Sequence, residues 1–473
     1  MVQAYHAVPV SVEHEDPDDR RGAEHEGSAL LGGKASTVGL AKEREGRATL
    51  TSSVSNLANT VIGSGMLTFP RAFASAGIIP GMLTCLFSGA VGAFGLYLLS
   101  ACARKAPHRR ASFFTVATLT FPRAAVFFDA AIAIKCFGVS ISYLIIIKSL
   151  IPNVIASLYH DLTSPDTNPP EWALSGRLWI SLLMVVLVPL SFLRRLDSLR
   201  HTSYIALFSC AYLVVIVIVC HFYPLKGMIP PGEIHLIKFT PSFISTFPIQ
   251  VFAFTCAQNL FPIFNEINNN SQKRMNIVIG TAIGSATITY EVIAVFGYIT
   301  FGSHVTANII EMYPSSSLFI AIGQLAIATL VLFSYPLQVH PCRNCLDKVF
   351  NFDAASDKVE DDDVGDEHGS GDMTPLKHSV LTTAVVAGGF TIAYFVDNLE
   401  MVLSFVGATG STTISFILPG LFYWKLTKDD PNKNKLLNLG ALALACYGFL
   451  ILVFCLSFNI YHIVYPVAGT GLD

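Results

Sequence analysis

The sequence predicts an all-α polytopic membrane protein of eleven transmembrane helices, and three observations support this fold class. Its 473 residues are 52% hydrophobic and only 13% charged, with a mean hydropathy of +0.55. Apolar runs of roughly 20 residues, long enough to cross a bilayer as a helix, recur along the chain. The first 48 residues are polar, so no cleaved signal peptide is expected.

The apolar runs define the predicted spans, numbered one to eleven in chain order. They lie near residues 50–74, 79–103, 122–150, 174–193, 202–222, 241–264, 276–300, 316–342, 378–396, 399–424 and 436–458. Lysine and arginine concentrate in alternate loops, and cytoplasmic loops are the ones that retain positive charge. The other loops hold only Arg71, Arg177, Lys226 and Lys238. We therefore predict a cytosolic amino terminus and a carboxyl terminus on the far side.

Three polar regions fall outside the spans. The sequence predicts a disordered cytosolic tail over 1–48, a membrane domain over 49–460 with a disordered acidic cytosolic loop at 351–376, and a far-side tail over 461–473. Glu26, Leu30 and Leu31 in the first tail have the form of an acidic dileucine sorting signal, which predicts a sorting adaptor as a partner. The basic residues are loop anchors, so no nucleic-acid partner is expected.

The first span is interrupted by polar and flexible residues. Between Ser55 and Pro70 the chain carries Gly63, Ser64 and Gly65. A break at membrane depth is tolerated where it lines a protected cavity, because backbone groups in hydrocarbon need partners. Amides at the start of a half-helix then face an anion, and freed carbonyls face a cation. The alternative interpretation is a helix contact built on small residues.

The sixth span carries a matching interruption. Gly63 precedes Phe69-Pro70 by six positions, and Thr255 precedes Phe261-Pro262 by six positions as well. Interrupted first and sixth spans are typical of two inverted repeats of five helices. The fold prediction is therefore a 5+5 inverted repeat with broken helices 1 and 6.

Two ionisable residues lie near the centres of spans. Lys135 is in the third span and Glu291 is in the seventh. Charges inside a membrane are costly and are usually paired or functional. We predict that Lys135 and Glu291 compensate one another, either as a static ion pair or as a pair whose protonation is coupled to transport.

Several motifs in order resemble the amino acid/auxin permease family. They are SNLANTVIGSGML, VFAFTCAQNLFPIFNEI, FGYITFGSHV, SYPLQVHPCRNCLDK and FVGATGSTTISFILPG. Within that family they are most similar to fungal vacuolar amino-acid transporters and animal system A/N transporters. The resemblance covers residues 50–460 and implies the fold of the bacterial leucine transporter and secondary active transport of amino acids.

The resemblance also implies site residues. The backbone of Gly63, Ser64, Gly65 and Met66 would receive the substrate carboxylate, and the stretch containing Thr255, Cys256, Gln258 and Asn259 would receive the amino group and side chain. Asn59 and Ser334 match the cation ligands of sodium-coupled relatives. The alternative for Asn59 and Ser334 is bonding to backbone freed by the break.

This chain departs from its relatives at two places. Sodium-coupled relatives often carry histidine where this chain has Ala257, so proton chemistry assigned to that histidine cannot operate here. Many relatives have Gly-Asp where this chain has Lys148-Ser149, which puts any role of that aspartate in doubt.

The functional expectation is proton-coupled export of amino acids from the vacuole lumen to the cytosol by alternating access. A bundle of spans 1, 2, 6 and 7 would rock against spans 3, 4, 8 and 9. A sodium-coupled plasma-membrane importer and a membrane amino-acid sensor are the alternatives. No cofactor or metal is expected beyond the coupling ion, H⁺ or Na⁺, and the partners are an amino acid and membrane lipid. Enzyme motifs such as H-E-x-x-H and G-x-S-x-G are absent from the sequence.

Overall fold

The structure, a computed structural model, describes residues 46–465 apart from 47, 108, 163–168, 194–201, 239, 315–316, 351–372 and 432–433. The described residues form helices and contain no strand, and Ala48 and Ile267 make an isolated β-bridge. The sorting motif Glu26, Leu30 and Leu31 and most of the predicted acidic loop lie outside the described residues.

The described helices follow the predicted spans in order. The first five spans correspond to Leu50–Val61 with Ser64–Thr68 and Phe69–Ala76, then Ile78–Ala103, Ala125–Leu162, Gly176–Ser191 and Thr202–Phe222. The next four correspond to Phe243–Ala253 with Ala257–Glu266, then Gln272–Phe301, Leu318–Phe350 and Pro375–Phe395. The tenth comprises Leu399–Val406, Gly407–Ser411, Thr413–Ile417 and Leu418–Thr427, and the eleventh is Lys435–Val464. Short helices at Phe113–Thr120, Pro122–Ala124, Glu171–Leu174, Gly302–His304 and Ile309–Met312 lie in loops.

Within the described residues, nine helices are long and apolar enough to cross a membrane. The fourth predicted span, Gly176–Ser191, is shorter, and the first is interrupted. Large apolar side chains such as Leu83, Val185 and Phe454 are exposed, as a lipid-facing surface requires. The all-helical membrane fold is confirmed, while the count of eleven crossings stays a prediction.

Helix ends follow from local chemistry. The Thr49 hydroxyl accepts a hydrogen bond from the Ser52 amide at 3.2 Å, and the Asn398 side chain accepts one from the Met401 amide at 2.9 Å. Both are amino-terminal caps that satisfy amides without intrahelical partners. The last helix runs to Val464, so its final turns occupy the start of the far-side tail predicted at 461–473.

The tenth span contacts the third and sixth spans almost backbone to backbone. Residues Gly407–Ser411 and Thr413–Ile417 are π-helical. A Cβ atom added at Gly410 would lie 2.6 Å from the Lys135 Cβ and 2.7 Å from the Ala131 carbonyl oxygen. Glycine is therefore required at 410, and the close packing brings Lys135 to the middle of the molecule.

Candidate functional site

The first span is broken at Ile62 and Gly63. The Ile62 amide still donates to the Ala58 carbonyl at 2.8 Å, but Ile62 then turns to an extended ψ of 93°. Gly63 is also extended, with φ −142° and ψ −151°, and a short 3-10 turn begins at Ser64. The predicted break in the first span is confirmed.

The sixth span is broken between Ala253 and Ala257. The Thr255 amide donates to the Phe252 carbonyl at 2.9 Å, closing a turn at the end of the first half-helix. Cys256, with φ −135° and ψ 11°, precedes the second half-helix. The second predicted break is confirmed, and in the first turn of Ala257–Glu266 the Asn259 amide donates to the Cys256 carbonyl at 3.0 Å.

The two breaks meet. A Cβ atom added at Gly65 would lie 2.7 Å from the Ala253 Cβ and 2.9 Å from its Cα, so a side chain at 65 has no room. A Cβ added at Gly63 would find a single neighbour, the Val61 carbonyl oxygen at 4.0 Å. Gly65 is therefore the contact between the broken helices, and Gly63 faces open space.

Tyr290 of the seventh span joins both breaks. Its fully buried hydroxyl lies 2.5 Å from the Val61 carbonyl oxygen and 3.1 Å from that of Ala253, at the ends of the two first half-helices. The ring stacks on Phe69 with centroids 4.5 Å apart and meets Phe254 edge-on at 5.2 Å. The sequence analysis missed Tyr290, although a buried tyrosine in a span needs a hydrogen-bond partner and could have been examined on that ground.

Several buried polar side-chain atoms at or near these breaks have no hydrogen-bond partner. Among the described residues, Ser64 Oγ, Gln258 Oε1 and both amide atoms of Gln250 are buried and make no hydrogen bond. Buried polar groups normally have partners, so such a set indicates a place for a polar ligand or water. Gln250 was also missed, and its signal was a polar residue inside the apolar sixth span.

Other predicted site residues have partners within the protein. The Thr255 hydroxyl donates to the Val251 carbonyl at 2.9 Å and accepts from Ser415 at 3.3 Å. The Asn259 amide donates to the Thr60 hydroxyl at 2.7 Å, which joins the first and sixth spans. The side chains of Cys256 and Met66 are fully buried. These residues join the broken spans to their neighbours, and the unpartnered side-chain atoms near the breaks belong to Ser64 and the glutamines.

The predicted compensation of Lys135 by Glu291 is wrong. Lys135 is 3% exposed, and no ion pair joins it to Glu291. The Glu291 carboxylate lies instead beside Cys85 of the second span. Within the described residues, neither carboxylate oxygen has a nitrogen or oxygen partner. The two side chains are therefore not paired. Residue spacing within a helix does not determine how that helix is rotated, so the spacing could not exclude this pairing.

Asn59 and Ser334 lie on the first half of the first span and on the eighth span. The helix Leu50–Val61 packs mainly on the seventh, sixth and fifth spans. A cation site formed by Asn59 and Ser334 therefore stays a prediction.

Two polar contacts lie at the end of the molecule that the sequence predicts to be the far side. Arg71 Nε, just after the first break, lies 3.1 Å from Glu400 Oε2 at the start of the tenth span. Glu311, in the loop after the seventh span, accepts a hydrogen bond from the Asn308 side chain. Burial raises the pKa of Glu311, and polar neighbours such as Asn308 oppose the shift.

The first half-helix of the first span, predicted to lie on the cytosolic side, carries exposed polar residues. Ser55 and Asn56 on the helix Leu50–Val61 are exposed, although they lie within a predicted span. Polar side chains at such a depth face water rather than lipid. The exposed polar face of the first half-helix is therefore consistent with contact with water.

Comparison with known proteins agrees with this architecture. Residues 46–462 match the family described as transmembrane amino acid transporter protein. The chain is 43% identical to vacuolar amino acid transporter 5 of Schizosaccharomyces pombe, over 88% of this chain and 95% of that protein. It is 34% identical to vacuolar amino acid transporter 6 of Saccharomyces cerevisiae, over 87% and 98%.

A solved structure shares the fold. The crystal structure of MhsT in complex with L-phenylalanine matches with a TM-score of 0.54 and 12% identity, over 88% of this chain and 100% of that one. The predicted leucine-transporter-like fold and the expectation of a transporter rather than an enzyme are both confirmed. The chain belongs to the transmembrane amino acid transporter family.

Proposed function

We propose that this protein is a proton-coupled amino-acid exporter of the vacuolar membrane, moving its substrate from the lumen to the cytosol. The observation that carries the proposal is the meeting of two helix breaks around unpartnered polar groups. A zwitterion needs donors for its carboxylate and acceptors for its ammonium, and broken half-helices supply both. The names of the fungal relatives favour the vacuolar membrane.

Each of the two breaks would bind one end of the zwitterion. The amides at the start of Ser64–Thr68 would hold the substrate carboxylate, since the amino-terminal end of a half-helix carries partial positive charge. Gln258 Oε1, buried and without a partner in the described part of the chain, would accept from the ammonium. Separation of Arg71 from Glu400 would then expose the substrate bound at the two breaks to the lumen.

Glu291 is the proton carrier in this proposal. Its carboxylate lies in a span, one residue after Tyr290, beside the Cys85 thiol and without a nitrogen or oxygen partner among the described residues. Taking up a proton removes a charge from the membrane interior without breaking an ion pair. Each unit of pH gradient would supply ~1.4 kcal/mol per proton, or about tenfold in substrate gradient.

Flux measurements in proteoliposomes test the proposal. We expect a labelled amino acid to move faster when the compartment it leaves is acidic, and Glu291→Gln to abolish that response while leaving exchange at equal pH. Glu171→Gln, at an exposed loop position, is the matched control. Stimulation by a sodium gradient at fixed pH would favour the importer instead. No flux of any amino acid would favour a sensor.

A further inference from the structure

An exposed apolar segment lies in the loop between the fifth and sixth spans, at the end of the molecule predicted to be the far side. Leu236 is 64% exposed and Ile237 is 63% exposed, and Ile234 beside them is 43% exposed. Moving large apolar side chains out of water is favourable, and a contiguous group of them on a surface usually marks an interaction site. The segment therefore needs a partner that covers it.

The loop is bound to the start of the second span. The Ile79 amide, in the first turn of that span, donates to the Leu236 carbonyl at 3.0 Å. A Cβ atom added at Gly77 would lie 2.9 Å from the Ile237 Cα, so the loop backbone packs directly on the turn that precedes the span. Leu236 and Ile237 therefore lie beside the first turn of the second span.

That turn begins an apolar stripe on the outside of the second span. The exposed apolar residues of the stripe recur at intervals of three and four, which places them on one face of the helix. They are Ile79, Met82, Leu83, Leu86 and Phe87. A stripe of this kind on a membrane-spanning helix faces lipid. Leu236 and Ile237 extend the stripe beyond the end of the helix.

The loop backbone has the hydrogen bonds that a position against lipid requires. The His235 amide donates to the Tyr298 hydroxyl at 3.0 Å, and the His235 carbonyl accepts from the Ile78 amide at 3.1 Å. The Lys238 amide donates to the Ala76 carbonyl at 2.9 Å. Irregular backbone is tolerated next to hydrocarbon only where its polar groups have partners, and these bonds supply them.

We propose that Ile234, Leu236 and Ile237 insert into the far-side leaflet of the membrane and hold this loop against lipid. The occupant is phospholipid, because the segment continues a surface of the second span that already faces lipid. Charged residues flank the segment, as expected where headgroups and water begin: Glu233, with its side chain 78% exposed, precedes it and Lys238 follows it. This insertion does not depend on the substrate or on the coupling ion.

Fluorescence in lipid nanodiscs tests the insertion. Leu236→Cys is labelled with an environment-sensitive fluorophore in a Cys446→Ser background, because the other nine cysteines are buried. We expect emission at shorter wavelength than in water, a loss of fluorescence in lipid with brominated acyl chains, and protection from aqueous iodide. A label at Leu83→Cys, on the stripe, should respond in the same way. A label at Lys226→Cys, exposed earlier in the same loop, should be quenched by iodide instead.

Two results of that measurement would overturn the proposal. A label at Leu236→Cys that responds as the label at Lys226→Cys does would place the segment in water. A label that neither bromine nor iodide quenches would mean that a protein surface, rather than lipid, covers the segment.

Lipid photocrosslinking is a second measurement, and it needs no variant. The unmodified protein is reconstituted with a phospholipid that carries a photoreactive group near the glycerol end of one acyl chain. Trypsin cleavage after Lys226 and Lys238 then releases residues 227–238 as one peptide. We expect lipid adducts on the apolar residues of this peptide and on the second-span peptide that contains Leu83. Adducts on the second-span peptide with none on residues 227–238 would overturn the proposal.

Discussion

The hydroxyl of Tyr290 lies 2.5 Å from the carbonyl oxygen of Val61, the last residue of the first half-helix. The same hydroxyl lies 3.1 Å from the Ala253 carbonyl at the end of the other half-helix. One side chain of an unbroken helix therefore contacts a carbonyl oxygen at each break. Tyr290 thus links the seventh span to both broken spans.

Removing that hydroxyl should loosen both breaks. Tyr290→Phe keeps the ring that stacks on Phe69 but leaves the two buried carbonyls without this donor, at a cost of about 1–3 kcal/mol. We expect a lower thermal unfolding temperature of the purified protein and slower transport. Tyr298→Phe, in the same helix, removes a hydroxyl that contacts the His235 amide at 3.0 Å and should leave transport intact. Equal transport by both variants would contradict the role of Tyr290.

The two glycines of the first break should respond differently to alanine. Gly65→Ala forces a Cβ against Ala253, and overpacking of this kind costs about 1–3 kcal/mol. Gly63→Ala adds a Cβ that meets nothing closer than 4.0 Å and should change stability by less than about 0.5 kcal/mol. Thermal unfolding of the purified variants measures both effects. A larger loss for Gly63→Ala would show that the breaks pack differently.

The contact between Arg71 and Glu400 should control opening on the far side. Glu400 is 6% exposed, so Glu400→Gln removes a charge that a partly buried arginine needs. We expect roughly tenfold slower transport, equivalent to about 1.4 kcal/mol. The exchanged pair Arg71→Glu with Glu400→Arg should recover part of the rate. If the exchanged pair is no better than the single variant, the two residues do not act together.

Glu311 should make stability depend on pH. Burial raises its pKa in the folded protein, so the folded state holds the proton more tightly than the unfolded state. Its stabilising contribution is present below the unfolded pKa of about 4.3 and is lost as pH rises through the folded pKa. Glu311→Gln should therefore match the unmodified protein near pH 4, and exceed its unfolding temperature near pH 8.

Glu171→Gln is the control for that measurement, because Glu171 is exposed in the loop before the fourth span. It should give no pH-dependent difference. An equal effect of Glu311→Gln at both pH values would mean that the Glu311 proton is not linked to folding.

Span order and both breaks could be predicted from the sequence, because apolar run length and the Phe-Pro spacing are local signals. The side-chain contacts between different spans could not be predicted from the sequence. Lys135 and Glu291 each lie near the centre of a predicted span, but the structure does not pair them, and the Glu291 carboxylate lies beside Cys85. Tyr290 was overlooked because its partners are carbonyls of distant segments, which no side-chain pattern reveals.

The substitution of Lys148-Ser149 for Gly-Asp could be recognised but not explained from the sequence. Lys148 Nζ lies 2.8 Å from the Val396 carbonyl and 2.6 Å from Asp397, so it binds the end of the ninth span. The Ser149 hydroxyl donates to the Ile146 carbonyl at 3.0 Å, within its own helix. The explanation for Lys148 depends on contacts made across the fold.

Equilibrium binding of a labelled amino acid to the purified protein tests most directly whether the two breaks form the substrate site. Gly63→Val would fill the open space at the first break, while Gly284→Val places the same side chain where a Cβ has no neighbour within 4 Å. We expect saturable binding by the unmodified protein and by Gly284→Val, and at least roughly tenfold weaker binding by Gly63→Val. Unchanged affinity in Gly63→Val, with the fold retained, would place the substrate elsewhere and contradict the account.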